Sequence, residues 1–264
     1  MSDTLIVTLD DRGIVYVSLN RPDVHNAFND ELIESLSHAF NKISIDPDVR
    51  AVVLAGNGKS FSAGADLNWM KKAANYTFHE NIDDALHLSQ MLNLVYTCPK
   101  PTIALVQGAV YGGGVGLVAC CDIVLAASST IFSLSEVRLG LTPATISPFV
   151  VSALGSKKSR RLFMTAERFT AEQALAWGLI DYMSDNKDQA QKTLDDFIDA
   201  ILLGAPGAQG DAKALVHTVA NHPISDELRA ETARRIAERR ASDEGKEGLN
   251  AFLSKRKANW VDKS

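Results

Sequence analysis

The sequence predicts an α/β fold: a core of short, repeated strand–strand–helix turns with a helical lobe at its C-terminal end. Three observations predict it. Short apolar strand patterns alternate with helical patterns over residues 1–190. Beyond 190 the pattern is helical only. No low-complexity linker separates the two parts. At 264 residues with 46% hydrophobic and 22% charged residues, the chain is long enough for one large core and too apolar to be disordered. The expected organisation is a core at 1–190 and a C-terminal region at 191–264.

The elements follow in order. LIVTLD (5–10) and IVYVSLN (14–20) flank the turn at Asp11-Arg12-Gly13 and read as paired strands. Asn29-Asp30-Glu31 opens a helix ahead of LIESLSHAFNKI. RAVVLAG (50–56) is a buried strand, followed by a Gly- and Ser-rich loop to Asp66. Residues 68–97 are helical, with a break near Tyr76. TIALVQG (102–108) and DIVLAAS (122–128) are strands. Between them Gly112-Gly113-Gly114 opens a small-residue helix. A small strand at 131–133 precedes Glu136, and LIDYM (179–183) is a last strand. Helices are expected at 156–164, 171–177, 186–202, 211–219, 225–241 and 243–257.

Composition excludes several function classes. With 27 Lys and Arg against 32 Asp and Glu, the net charge of −5 gives no general electrostatic case for nucleic acid. No apolar run approaches ~20 residues, so no membrane partner is expected. The acidic N-terminus does not read as a signal peptide, and three cysteines are too few for a disulfide framework. A cytoplasmic protein is expected. Cys120 and Cys121 read as core. The six histidines show no metal-ligand spacing, so no metal is expected.

Three segments carry candidate chemistry. Phe61–Asp66 follows a strand and precedes a helix; its small residues leave backbone N–H groups approachable, so it is either an anion site or a plain turn capped by Asp66. Residues 108–116 hold a run of glycines at a strand-to-helix junction, which serves close helix packing or close approach of a ligand to the backbone. They match neither a dinucleotide fingerprint nor a phosphate-binding loop. Two N–H donors from these segments would together make an oxyanion hole. Glu136, with mostly apolar or small flanks, is either a partly buried proton-transfer group or a helix-start glutamate paired with Arg138. Trp69 and Met70, with Tyr76 and Phe78, line an apolar pocket or form a core stripe.

The stretches RPDVHNAFNDELIESL (21–36), FSAGADLNWM (61–70) and QGAVYGGGVGLVACCDIVLAA (107–127) resemble the enoyl-CoA hydratase/isomerase, or crotonase, superfamily. FSLSEVRLGLTPA (132–144), LFMTAERFTAEQALAWGLID (162–181) and EGLNAFLSKRKANW (247–260) agree, so the resemblance runs through nearly the whole chain. It implies a crotonase-like (ClpP/crotonase) spiral of β-β-α turns, a homotrimer or dimer of trimers, and an acyl-CoA thioester substrate. Coenzyme A is then part of the substrate and no separate cofactor is needed. By position, the oxyanion donors would be the N–H groups of Ala65 and Gly113. The coenzyme arm would run near His25, Asn26, Ala27 and Ala63, with Phe252 and Lys255 of the same or a neighbouring subunit covering it. Trp69, Met70, Gly116 and Arg138 would border the acyl group. Hydratases of the family use two glutamates; the second matches Glu136, while Gly116 stands where the first would be. That pattern resembles the bacterial methylglutaconyl-CoA and isohexenylglutaconyl-CoA hydratases. The expected function is hydration of a 2-enoyl-CoA by a single glutamate, with Δ3-Δ2-enoyl-CoA isomerisation and non-catalytic acyl-CoA binding as alternatives. A distal substrate carboxylate would need a cation, for which Arg138, Lys71 and Lys72 are candidates.

Overall fold

The computed structural model describes residues 3–220 and 222–261. The chain is built on two sheets. β1 (Leu5–Leu9) and β2 (Ile14–Leu19) pair antiparallel across a turn that the Asp10 carboxylate closes by accepting from the N–H groups of Arg12 and Ile14, at 3.0 and 2.8 Å. β2 then pairs parallel with β3 (Ala51–Gly56), β3 with β4 (Thr102–Val106), β4 with β6 (Ile123–Ala127), and β6 with β9 (Tyr182–Ser184). The smaller sheet joins β5 (Ala109–Tyr111), β7 (Ile131–Ser133) and β8 (Arg168–Thr170). β4 is followed at once by β5, and β6 by β7, so each of these two turns of chain lays one strand in each sheet before its helix. This is the expected crotonase-like spiral of β-β-α turns.

The parallel strands read as continuous apolar runs because both faces of the large sheet are covered. Strand alternation sends Val52 and Leu54 of β3 to one face. There they join Leu36 and Phe40 of α1 (Asp30–Ile45) and Met91 and Leu92 of α3 (Phe78–Tyr96) in the main core. Ala51 and Val53 point the other way, onto Leu194 and Ile198 of α7 (Lys187–Leu203). α7 lies by sequence in the C-terminal helical region, yet it covers this sheet.

Several boundaries differ from the sequence-based expectations, each for a local reason. The break expected near Tyr76 is present: 68–97 holds two helices, α2 (Leu67–Ala73) and α3, because Thr77 and Glu80 form a capping box that starts a new helix. α4 spans Gly113–Ala119. α5 runs Ser147–Thr165, starting earlier than expected because Pro148 occupies its first turn, where a missing N–H costs nothing. Gly155 interrupts it with φ 75° and ψ 158°. Pro206 likewise opens α8 (Pro206–Val219) ahead of the expected start at 211. α6 (Ala171–Trp177) is as expected. β9 begins at Tyr182 rather than 179; Leu179 and Ile180 are core residues that precede the strand.

α9 (Asp226–Ala241) and α10 (Asp243–Leu253) complete the lobe. Among the described residues, α8 and α9 bury none and α10 buries only Ala251. Polar contacts fasten the lobe instead. Glu244 accepts from the N–H groups of Gly207 and Ala208 at the start of α8 and pairs with Arg239 at 2.8 Å. Arg50, beside β3, donates to the carbonyls of Leu202, Gly204 and Trp260. No helix of the described residues is long and apolar enough to cross a membrane.

Candidate active site

The segment 60–66 is threaded between two partners. On one side the strap 25–28 holds it: Ala63 N–H donates to His25 O, Ser62 Oγ to Asn26 O, Phe28 N–H to Gly64 O, and Asp66 N–H to Phe28 O. On the other side Ser62 bridges to Val110 of β5, with Tyr111 N–H donating to Ser62 O. His25 and Asn26 take left-handed backbone angles (φ 52° and 54°), uncommon for side-chain-bearing residues. The Asn26 side chain supports that geometry: fully buried, it accepts from Arg21 N–H and donates to the carbonyls of Asn57 and Ser60.

Asp66 then starts α2 by accepting from the N–H groups of Asn68 and Trp69. It also pairs with the half-buried Arg21 guanidinium at 2.8 Å. Burial works to raise the Asp66 carboxyl, but Arg21 and the two backbone donors prevail and hold it below the usual carboxylate range. Taken alone, this is the turn-and-cap that the local sequence allows. What the cap leaves over is the Ala65 N–H, which has no acceptor among the described residues.

The glycine run supplies the facing wall. Gly112 has φ 49°, and a Cβ there would stand 3.1 Å from Glu136 Oε1 and 4.0 Å from Gly64 Cα. Glycine is therefore required where the two loops and the carboxylate meet. Gly112 N–H donates to Ser133 O of β7, which fixes the turn. Gly113 is the first residue of α4; its N–H has no intrahelical partner by position and no other acceptor among the described residues.

Glu136 follows β7 in a short 3₁₀ turn, Glu136–Leu139. Burial pushes its carboxyl above the ordinary value, partly opposed by a bond from its own backbone N–H. Its Oε2 is buried and bonded to no described protein group. A buried carboxylate oxygen without a partner is uncommon and calls for a reason. Glu136, Ala65 and Gly113 all line one cleft of about 390 Å³, and Glu136 is the only carboxylate among its lining residues. Such a cleft can polarise a carbonyl oxygen at the backbone donors and move a proton at the carboxylate.

The cleft also brings in Ala63, Trp69 and Met70 as expected. Trp69 is held by a bond from Nε1 to Asp84 Oδ1 at 2.9 Å. Other expected residues lie elsewhere. Gly116 is buried and does not border the cleft, because Ile146 stands over it: a Cβ on Gly116 would fall 2.4 Å from Ile146 Cγ2. Arg138 is exposed and does not line the cleft, since the 3₁₀ turn that brings in Glu136 and Leu139 leaves the two residues between them outside; nor is it paired with Glu136. His25 and Asn26 hold the 60–66 segment through bonds to Ser60, Ser62 and Ala63, Ala27 accepts from Arg21, and none of the three lines the cleft. Phe252 and Lys255 sit at the exposed end of the C-terminal lobe and do not reach this chain's own cleft. Lys72 is engaged by Asp30 at 2.7 Å.

Sequence reading missed Phe28, Tyr111, Leu139, Leu141 and Ile146, all of which line the cleft. The phenylalanine lies inside the RPDVHNAFND motif, but nothing local shows that it faces Gly113. Burial raises the thiols of Cys120 and Cys121, the latter to about 12; Cys120 is a core residue and Cys121 packs partly buried against the core. Among the described residues no cluster of three or more His, Cys, Asp or Glu is placed to hold a metal ion.

Comparison with known proteins shows the family. The family model described as enoyl-CoA hydratase/isomerase matches residues 10–263. A crystal structure of an enoyl-CoA hydratase from Shewanella pealeana is 41% identical, with a TM-score of 0.94 over 97% of this chain and 96% of that one. An enoyl-CoA hydratase/isomerase from Marinobacter aquaeolei is 33% identical, with a TM-score of 0.92 over 98% of this chain and all of that one. The human mitochondrial Delta(3,5)-Delta(2,4)-dienoyl-CoA isomerase is 35% identical over 199 residues, 70% of this chain and 60% of that protein. The chain belongs to the enoyl-CoA hydratase/isomerase family and is an enzyme of that general type, acting on an acyl-CoA.

Proposed function

We propose that the protein adds water across the C2–C3 double bond of a 2-enoyl-CoA, with Glu136 as its single proton-transfer carboxylate. The observation that carries this reading is the buried Glu136 Oε2, unbonded to protein and set in the same cleft as two unused backbone donors. The thioester oxygen accepts from the Ala65 and Gly113 N–H groups. Charge drawn onto that oxygen makes C3 electrophilic. Ionised Glu136 takes a proton from water as its oxygen attacks C3, and the resulting enolate is protonated at C2, with Glu136 returning the proton. Each backbone donor contributes about 3–4 kcal/mol of transition-state stabilisation in sites of this kind.

A branched glutaconyl thioester, such as 3-methylglutaconyl-CoA, is the substrate that the segment 112–151 favours by resemblance. Its distal carboxylate needs a cation. Arg138 does not border the cleft, and Lys72 is paired with Asp30. Lys71 is exposed and directly follows Met70, but like Arg138 it does not border the cleft, whose lining among the described residues holds no cation.

Glu136→Gln should lower kcat by about 10²–10⁴-fold with little change in acyl-CoA affinity. Because burial raises the Glu136 carboxyl, the wild-type rate should climb with pH through a value above the ordinary ~4.3 of glutamate, as the base ionises. In ¹⁸O-labelled water, 3-methylglutaconyl-CoA or another 2-enoyl-CoA should yield product labelled at C3. Movement of the double bond in a 3-enoyl-CoA without label would instead establish isomerisation. Full turnover by Glu136→Gln would refute the single-carboxylate reading.

A further inference from the structure

We infer that Phe28 is the positioning residue that sets the two backbone donors of the cleft relative to each other, an inference that rests on the carbonyl-polarising reading above. Its backbone straddles Ala65: Phe28 N–H donates to Gly64 O at 2.7 Å, and Phe28 O accepts from Asp66 N–H at 2.9 Å. Those two bonds fix the peptide planes on both sides of Ala65. The intervening Ala65 N–H is thereby turned away from the strap, on a residue that borders the cleft.

The Phe28 ring reaches the other donor. A Cβ added to Gly113 would lie 3.0 Å from ring Cδ2 and 3.2 Å from Cε2. One residue thus grips the first donor by its backbone and backs the second by its side chain. The ring is 1% exposed, so it has no slack to rotate aside. No other described side chain comes within 4 Å of a Cβ placed at Gly113. The absence of a side chain on Gly113 follows from the same contact: the ring takes the space that a methyl group would fill.

A residue that only filled the core would affect stability and ground-state binding alike. A residue that sets donor geometry acts on carbonyl polarisation, and misplacement of about 1 Å can lower the rate about 10²-fold. The test compares Phe28→Leu with Phe40→Leu, Phe40 being a fully buried core phenylalanine of α1 that does not line the cleft. Binding of saturated butyryl-CoA is measured by calorimetry. Polarisation is read from the red shift of 4-dimethylaminocinnamoyl-CoA, whose absorption follows the electron demand at its carbonyl.

Phe28→Leu should keep butyryl-CoA affinity within about threefold, lose most of the red shift, and lower kcat about 10- to 100-fold with KM little changed. Phe40→Leu should reduce thermal stability and leave the red shift intact. If Phe28→Leu retains the full red shift and kcat, the inference is overturned. It is overturned equally if affinity and red shift fall in proportion, or if Phe40→Leu gives the same loss.

Should Phe28→Leu not fold, Phe28→Met and Gly113→Ala carry the test. Gly113→Ala should lose red shift against the native ring and lose much less in the Phe28→Met background, since the rigid ring edge is gone. Strict additivity of the two changes would overturn the inference. A wild type that binds the chromophore with no red shift would overturn the polarising-cleft reading itself, and this positioning role with it.

Discussion

Gly116 sits inside α4, where glycine is about 1 kcal/mol worse than alanine for the helix. Ile146 explains why it is tolerated. A Cβ at 116 would meet Ile146 Cγ2 at 2.4 Å and Ile146 Cβ at 2.7 Å, distances that force movement near the backbone rather than at a flexible tip. Overpacking of this kind costs about 1–3 kcal/mol, more than the helix propensity that alanine restores. Gly116→Ala is therefore expected to lower the melting temperature by several degrees, at about 2–4 °C per kcal/mol for a chain of this size. In an Ile146→Ala background the obstruction is gone and only the propensity remains, so the same substitution should become neutral or stabilising. Calorimetric melting of the four proteins checks this; an equal loss from Gly116→Ala in both backgrounds would refute the steric coupling. The pair also bears on chemistry. A carboxylate at 116 has no room while Ile146 is present, so the single-acid cleft is written in two residues rather than one. The sequence showed only the glycine. Its partner comes from the start of α5, thirty residues on, and no local pattern ties the two together.

α2 is a weakly anchored element of the site, with seven residues and none buried among them. It nevertheless carries Trp69 and Met70 into the cleft, and it rests on the Asp66 cap, the Trp69–Asp84 bond and the Lys72–Asp30 pair. The cap is the critical one because Asp66 and Arg21 are both largely withdrawn from water, at 7% and 17% side-chain exposure. Asp66→Ala removes cap and counter-charge together and should destabilise the fold by about 3 kcal/mol at neutral pH. Asp66→Asn keeps the cap and should lose less. The folded-state carboxyl is held below its unfolded value near ~3.9. The stabilisation is thus complete above that unfolded value and disappears as pH falls through the lower folded one. Urea melts of wild type and Asp66→Asn should differ at pH 7 and converge in strong acid; a constant difference across that range would contradict the linkage. The same elements show what a sequence can disclose. The Asn29 start of α1, the buried β3 and the 171–177 helix follow from local capping and apolar runs, and the structure keeps them. The helices expected from 156 and 211 begin earlier, with Pro148 and Pro206 as first-turn residues, because a proline looks alike on either side of a helix boundary. Ala65, Gly113 and Glu136 were legible because their motifs lie in continuous segments. Phe28, Leu141 and Ile146 were not, because they reach the cleft only through the folding of distant segments around it.

At the scale of the molecule, the C-terminal lobe leaves several large apolar side chains uncovered by its own chain. Val216, Ile236, Leu249, Phe252 and Leu253 are all at least half exposed, and α8, α9 and α10 together bury only Ala251. Arg50 and the Lys213–Asp122 pair tie the lobe to the core, while Glu244 ties the lobe's helices to one another. Exposed apolar side chains on three helices of one lobe motivate the expectation that copies of this chain cover them. The expected assembly is a trimer or a dimer of trimers, and sedimentation equilibrium at micromolar protein should return a multiple of three chains. A clean monomer would exclude it. The arrangement has a second consequence, because Phe252 and Lys255 do not border the cleft of their own chain. If they cover the coenzyme, they do so in a neighbour. Phe252→Ala should then raise KM for a full enoyl-CoA while leaving kcat largely intact. The same variant should leave KM unchanged for the matching N-acetylcysteamine thioester, which presents the reacting carbons without the nucleotide. Assembly has to be measured on the same preparation, since loss of the oligomer would raise both KM values together. An intact trimer with equal KM changes for the two thioesters would show that Phe252 packs the interface and takes no part in holding the coenzyme.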